Sequence, residues 1–115
     1  MSRARPSVLS SGLVALDVIR APKGTCLRAG GTAANVAAIL SFLGWRSAII
    51  GRIGDDDAGP LVERDLRAAG VDTSHVDLSK EVGTPLVVHE IHETGHRFRC
   101  GRQVIVMTHD RRFSE

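Results

Sequence analysis

Apolar and polar positions alternate along this chain in two rhythms. Val8 to Val18 (V-L-S-S-G-L-V-A-L-D-V) is nearly continuous in apolar residues and is interrupted by Gly12. Such a run predicts a strand buried on both faces. Ile19 to Ala29 contains Pro22 and Gly24 and reads as a turn, with a turn between short strands as the alternative. Gly30-Gly31-Thr32 then opens a helix. Ala33, Val36, Ala37, Leu40 and Leu43 recur at helical spacing, Ile39 widens the stripe, and Gly44 closes it. Ser47 to Ile53 predicts a second buried strand. Gly54-Asp55-Asp56-Asp57 is a turn whose acidic residues suit the positive end of the next helix. That helix begins near Pro60, presents Leu61, Val62, Leu66 and Ala69, and stops at Gly70. Val71 to Leu78 is extended. Thr84 to Ile91 and Arg97 to Cys100 predict a hairpin turning at Glu93-Thr94-Gly95-His96. Val104 to Met107 reads as one more strand, and the last residues show no period. The order β-α-β-α-β-β predicts an α/β fold, with parallel strands early and a hairpin late.

Composition narrows the class. The chain has 115 residues, 43% apolar and 24% charged, as a soluble globular domain with one core does. No apolar run reaches the ~18–20 residues of a membrane-spanning helix. The basic start Met1 to Pro6 precedes a run too broken for a signal peptide, so a cytoplasmic location is expected. Fifteen Lys and Arg against thirteen Asp and Glu leave a net charge of +2, scattered rather than striped, which argues against a nucleic-acid partner. Cys26 and Cys100 form no framework and read as reduced thiols.

The candidate chemistry lies between Asp17 and Asn35. Two glycines before a helix let a ligand approach the backbone without a Cβ in the way. The first-turn N–H groups of that helix would then face an electronegative group. Asn35, one turn in, both donates and accepts. Asp17, expected near the end of the first strand, accepts from hydroxyls, and open α/β sheets bind ligands at the carboxyl ends of their strands. A carboxylate, an amide and bare N–H groups suit a neutral polyol better than an anion, because the carboxylate repels phosphate at close range.

Gly30, Gly31, Ala33, Asn35, Ala37, Gly44 and Gly54 fill the first signature of the ribokinase-like (PfkB) carbohydrate kinases, which the chain resembles over about residues 7–100. Gly54-Asp55-Asp56-Asp57-Ala58-Gly59, Leu66 to Val76, Gly12 and Asp17 continue the match. The resemblance implies a partial ribokinase-like αβα sandwich with parallel strands and a β-hairpin lid over the sugar site. It implies transfer of the ATP γ-phosphate to a sugar or nucleoside hydroxyl with Mg²⁺. Asp17, Gly30, Gly31 and Asn35 fall where the family binds substrate hydroxyls. The lid segments fall at about 18–29 and 84–101. The family's second signature, D-T-x-G-A-G-D, carries its catalytic Asp and anion hole and does not occur in these 115 residues. Residues 1–115 are therefore expected to be the N-terminal, sugar-binding part of such a kinase, without the nucleotide half or a catalytic residue, and inactive alone. A shifted reading frame would also account for the illegible end. Truncation further predicts an exposed apolar sheet edge and weak stability. Family members often pair through their lids, so a homodimer stays open. A non-catalytic sugar- or nucleoside-binding module is the alternative. A dinucleotide-binding half-domain is disfavoured, because G-G-T-A-A-N lacks the G-x-G-x-x-G spacing.

Two groups of residues invite metal readings. Asp55, Asp56 and Asp57 are adjacent, point in different directions, and are read as turn and helix-start chemistry. His89, His92, His96 and Cys100 have helical spacing, but Pro85, Val87-Val88 and Gly95 argue for strands, which places 89 and 92 on opposite faces.

Overall fold

The computed structural model describes residues 4–100 and the backbone of Met107–Thr108. Its strands are β1 (Ser7–Ser11), β2 (Ala15–Ala21), β3 (Gly24–Gly30), β4 (Arg46–Gly54), β5 (Asp72–Ser79), β6 (Leu86–His92), β7 (Gly95–Cys100) and β8 (Met107–Thr108). Helices α1 (Thr32–Phe42) and α2 (Ala58–Ala68) flank β4 in sequence. The strands form two sheets. One is three-stranded and parallel, in the order β1-β4-β5; the other is five-stranded, in the order β3-β2-β6-β7-β8. In the second sheet β2 and β6 run parallel and the remaining pairs are antiparallel. The expected α/β class and the hairpin both stand, but the chain reaches them by a different path.

The apolar run from Val8 to Val18 is not one strand. It divides at Gly12, whose φ of +139° few side chains tolerate, into β1 of the parallel sheet and β2 of the mixed sheet. Its near-continuous apolar character comes from two strands, each burying part of its length. The segment read as a turn, Ile19 to Ala29, is mostly the β2–β3 hairpin, with only Pro22 and Lys23 between the strands. The second hairpin turns at Glu93-Thr94, within the expected four residues. Of the strand expected at Val104 to Met107, residues 104–106 lie outside the described residues, as do 109–115.

Both helices pack on one face of the parallel sheet. Val14, Ala33, Ile49, Ile53, Val62 and Leu66 meet there in one core. α2 presents Val62 and Leu66 inward, as its period predicts, while Ala69 lies past its end and is exposed. The stripe expected of α1 is split. Ala33, Ala34 and Ala37 are buried, whereas Val36, Ile39 and Leu43 are exposed, and Phe42 is 89% exposed. The opposite face of the sheet also leaves Leu9 and Ile50 in solvent. Among the described residues, then, two layers of the sandwich are present and the far face of the parallel sheet is uncovered. Among the same residues no helix is long and apolar enough to cross a membrane.

One carboxylate ties the two sheets together. Asp56 accepts hydrogen bonds from the Thr84 hydroxyl at 2.7 Å, the Thr84 N–H at 2.8 Å and the Gly59 N–H at 2.9 Å. The Gly54 N–H in turn donates to the Thr84 hydroxyl at 2.9 Å. These bonds join the end of β4, the start of α2 and the approach to β6. The Thr84 donors hold the Asp56 carboxyl below its ordinary range. Charge-assisted bonds that close a turn are among the stronger ones. Asp56→Ala is expected to cost about 2–3 kcal/mol, because it removes three hydrogen bonds at once and leaves the Thr84 and Gly59 N–H groups without their acceptor. Urea unfolding of the two proteins measures it, and equal midpoints would refute the role. Because the carboxyl is depressed, its share of stability is present above the ordinary carboxylate pKa and is lost as pH falls through the lowered one.

Candidate functional site

The site grows from the passage between β3 and α1. β3 ends at Gly30, which pairs with Ala15 across the β2–β3 ladder, two residues from the Asp17–Arg28 pair. A Cβ at Gly30 would fall 2.2 Å from the Asp17 Cγ and both of its carboxylate oxygens. The Asp17 carboxyl therefore lies directly on the Gly30 backbone, a position any side chain at residue 30 would occupy. Gly31 follows as the N-cap of α1, with φ +91° and ψ 160°. A Cβ there would lie 2.3 Å from the Leu13 carbonyl oxygen. The Ala33 N–H donates to that same carbonyl at 3.1 Å, and the Asn35 N–H donates to the Gly31 carbonyl at 3.0 Å.

Four residues singled out from sequence are thus placed. Asp17 and Gly30 are in direct contact, Gly31 is the hinge into α1, and Asn35 stands exposed on the first turn of that helix. Two expectations are corrected. Asp17 is not at the carboxyl end of a core-sheet strand. It is the third residue of β2, inside the mixed sheet, because the chain changes sheets at Gly12. The first-turn N–H groups are not all turned outward either, since that of Ala33 is spent on Leu13.

Electrostatics single out Asp17 further. Asp65 accepts from the Ala29 N–H at 2.7 Å and lies 3.6 Å from an Arg28 guanidinium nitrogen. Asp56 has three donors. Among the described residues no hydrogen bond or ion pair reaches the half-buried carboxylate of Asp17. Burial pushes its pKa up, and the nearby His89 imidazole draws it partly back. A half-buried carboxylate without donors is a cost to the fold and a ready acceptor for hydroxyls from outside.

Residues outside the glycine motif share this face. Across β2, β6 and β7, Asp17 pairs with Val87, Ile19 with His89, and His89 with Phe98. The His89 and Phe98 rings stack with centroids 4.1 Å apart, and His89 Nε2 lies 3.0 Å from His96 Nδ1. His92 lies apart from this group and meets Glu90 at 3.6 Å. The only available signal was hairpin register, which sequence spacing alone does not fix. The acidic run at 55–57 shows the turn chemistry expected of it, with Asp56 carrying it.

Comparison with known proteins bears on the family and the fold. The sequence profile described as pfkB family carbohydrate kinase matches residues 6–102. The Escherichia coli fructokinase is 38% identical over 68 residues, which are 59% of this chain and 22% of that enzyme. A Pyrococcus horikoshii sugar kinase solved in complex with ATP superposes with a TM-score of 0.72 at 26% identity, over 84% of this chain and 34% of the other. The Salmonella enterica aminoimidazole riboside kinase, solved with its riboside and an ATP analogue, gives a TM-score of 0.64 at 26% identity, over 71% of this chain and 28% of the other. The chain thus spans between about a fifth and a third of the length of these relatives.

Proposed function

Because the chain belongs to the pfkB family of carbohydrate kinases, we propose that it is the sugar-binding part of such a kinase, taking a sugar or nucleoside through Asp17, Gly30, Gly31 and Asn35. The observation that carries this reading is the half-buried Asp17 carboxylate, laid on Gly30 and lacking a donor among the described residues. Its two oxygens accept from adjacent hydroxyls. Asn35 supplies a donor and an acceptor from one turn above. The two glycines keep that approach open. The mixed sheet, which carries Asp17, acts as the lid that shields the sugar from water.

ATP supplies the phosphoryl group in such kinases, and this reading places its site outside these residues. The oxygens of Asp56 in the acidic turn are committed to Thr84 and Gly59. The D-T-x-G-A-G-D signature is also absent from the 115 residues. ATP with Mg²⁺ is therefore assigned to a nucleotide-binding part outside these residues, and the chain alone is expected to bind sugar without phosphorylating it. That missing signature also supports the second reading, a non-catalytic sugar-binding module. The exposed free thiol of Cys26 suits the cytoplasm, and the exposed edge strand β3 is where two lids would pair.

Saturation-transfer NMR of the 115-residue chain with D-fructose, D-ribose and adenosine tests the reading, with Asp17→Asn as the control. Transfer to at least one of these ligands, abolished by Asp17→Asn, is the expected result. No transfer to any ligand would refute sugar binding, and ATP-dependent phosphorylation by the pure chain would refute the assignment of ATP elsewhere. The same variant carries a stability prediction of opposite sign. The folded pKa of Asp17 is raised, so ionising it in the fold is unfavourable, and stability falls as pH rises from the ordinary carboxylate pKa through the raised one. Asp17→Asn should therefore melt higher than the parent at neutral pH, and the gap should close in acid. A lower melting temperature at neutral pH would contradict it. Function at a cost in stability is the usual mark of a binding carboxylate.

A further inference from the structure

The amino ends of the parallel strands enclose a depression that the Asp17 site does not use. It has a volume of about 390 Å³, and Arg5, Trp45, Arg46, Ser47, Gly70 and Asp72 are among its lining residues. That size lies at the low end of ordinary ligand pockets and suits a small molecule. The residues meet because β1, β4 and β5 begin side by side, with Ser7 paired to Arg46 and Ala48 to Asp72. Two observations set this depression apart. Ser47 is 5% exposed, and its buried hydroxyl has no hydrogen-bond partner among the described residues. A hydroxyl left in that state costs the fold free energy that a ligand oxygen would return. The second observation is charge. Arg20, Arg28, Arg52 and Arg67 each meet a carboxylate. Among the described residues Arg5 and Arg46 meet none. Arg5 donates its Nε to the Gly44 carbonyl at 3.1 Å. That bond fixes the guanidinium beyond the end of α1 and leaves its other donors for an acceptor from outside.

We propose that this depression is a second binding site, for a sugar phosphate, on the other sheet from Asp17 and independent of it. The phosphate accepts charge-assisted hydrogen bonds from Arg5 and Arg46, which stand at the starts of neighbouring strands. The half-buried indole of Trp45 meets the C–H face of the sugar ring. Asp72, held by the Ser74 N–H at 2.9 Å, accepts a hydroxyl at the far end of the ligand. β5 lies two strand spacings from β1, about 10 Å, so the carboxylate is kept clear of the phosphate that it would repel. The Ser47 hydroxyl donates to a ligand oxygen between them. A free sugar leaves the two arginines unused, and a bare phosphate leaves Trp45 and Asp72 unused.

Trp45 is the one tryptophan of the chain, so tryptophan emission reports on this depression directly. The 115-residue chain is titrated with D-fructose 6-phosphate, inorganic phosphate and D-fructose. The sugar phosphate is expected to change the emission saturably, inorganic phosphate to bind roughly tenfold more weakly, and D-fructose to leave the emission unchanged. Arg46→Gln removes an exposed charge that meets no carboxylate among the described residues. It should weaken the sugar phosphate roughly ten- to hundredfold and leave the melting temperature where it was. Ser47→Ala should weaken it roughly three- to tenfold and melt at or above the parent temperature, whereas a merely structural hydroxyl would leave affinity alone. No saturable change with the sugar phosphate up to about 10 mM, or parental affinity in either variant, overturns the site. Equal affinity for inorganic phosphate, or an emission change with D-fructose, overturns the assignment to a sugar phosphate, the former leaving an adventitious ion only. Should Ser47→Ala unfold, Arg46→Gln decides alone. None of these failures touches the Asp17 reading, which is tested separately by saturation transfer from the chain to the sugar.

Discussion

Gly31→Ala is expected to be the most damaging single methyl group in the chain. The residue sits at φ +91°, where a non-glycine residue costs about 1–2 kcal/mol. Its new Cβ would fall 2.3 Å from the Leu13 carbonyl oxygen. That atom is backbone, not the free end of a side chain, so it moves only if the loop after β1 moves. The Leu13 carbonyl also accepts the Ala33 N–H at 3.1 Å, and a shift that relieves the clash breaks this bond, for about another 1 kcal/mol. Together these reach roughly 2–3 kcal/mol before the clash itself is counted, against the ~5–15 kcal/mol that holds an ordinary domain. This chain leaves Phe42, Leu43, Ile39 and Leu9 in solvent, so it belongs at the low end of that range. Gly31→Ala should lose its near-ultraviolet circular dichroism and its cooperative urea transition. A variant with the parental midpoint would show that the glycine serves no backbone purpose.

The same residues show what the sequence conveys and what it withholds. Both helices were legible because each combines a period of 3.6 with a closing glycine, Gly44 or Gly70, whose positive φ ends it. The division at Gly12 was not legible. A continuous apolar run looks the same whether one strand is buried throughout or two strands are each buried in part, and only the partner strands, Arg46–Gly54 for one and Leu86–His92 for the other, tell them apart. Burial along α1 was misjudged for a related reason. Periodicity reports which side chains are apolar, while exposure depends on what the described residues bring to meet them, and nothing among them covers Val36 or Ile39. In the site, the glycine pair, Asp17 and Asn35 could be named from a motif with fixed spacing. His89 and Phe98 could not, because their meeting depends on hairpin register between β6 and β7, where a slip of one residue would put them on opposite faces.

Gly30→Ala should do to the site what Gly31→Ala does to the fold. The two glycines are neighbours, yet they are glycines for different reasons. Gly30 lies at the end of β3, is not among the glycines with positive φ, and its backbone suits alanine. What a Cβ would meet is the Asp17 carboxyl, at 2.2 Å from its carbon and both oxygens. That group is the free end of a side chain with two rotatable bonds, so it can swing aside at modest cost. The variant should therefore stay folded, with a change within about 1 kcal/mol, while its carboxylate leaves the place from which it accepts hydroxyls. Two charge-assisted hydrogen bonds lost or bent correspond to about 2–3 kcal/mol, so affinity for D-fructose should fall roughly 30- to 150-fold. Asp17→Asn removes the charge from the right position, whereas Gly30→Ala moves the charge and keeps it. If both abolish binding and only Gly31→Ala unfolds the chain, the carboxylate's position as well as its charge makes the site. Parental affinity in Gly30→Ala would mean that sugar does not bind through Asp17 as it lies on Gly30, and the proposed contact would have to be abandoned.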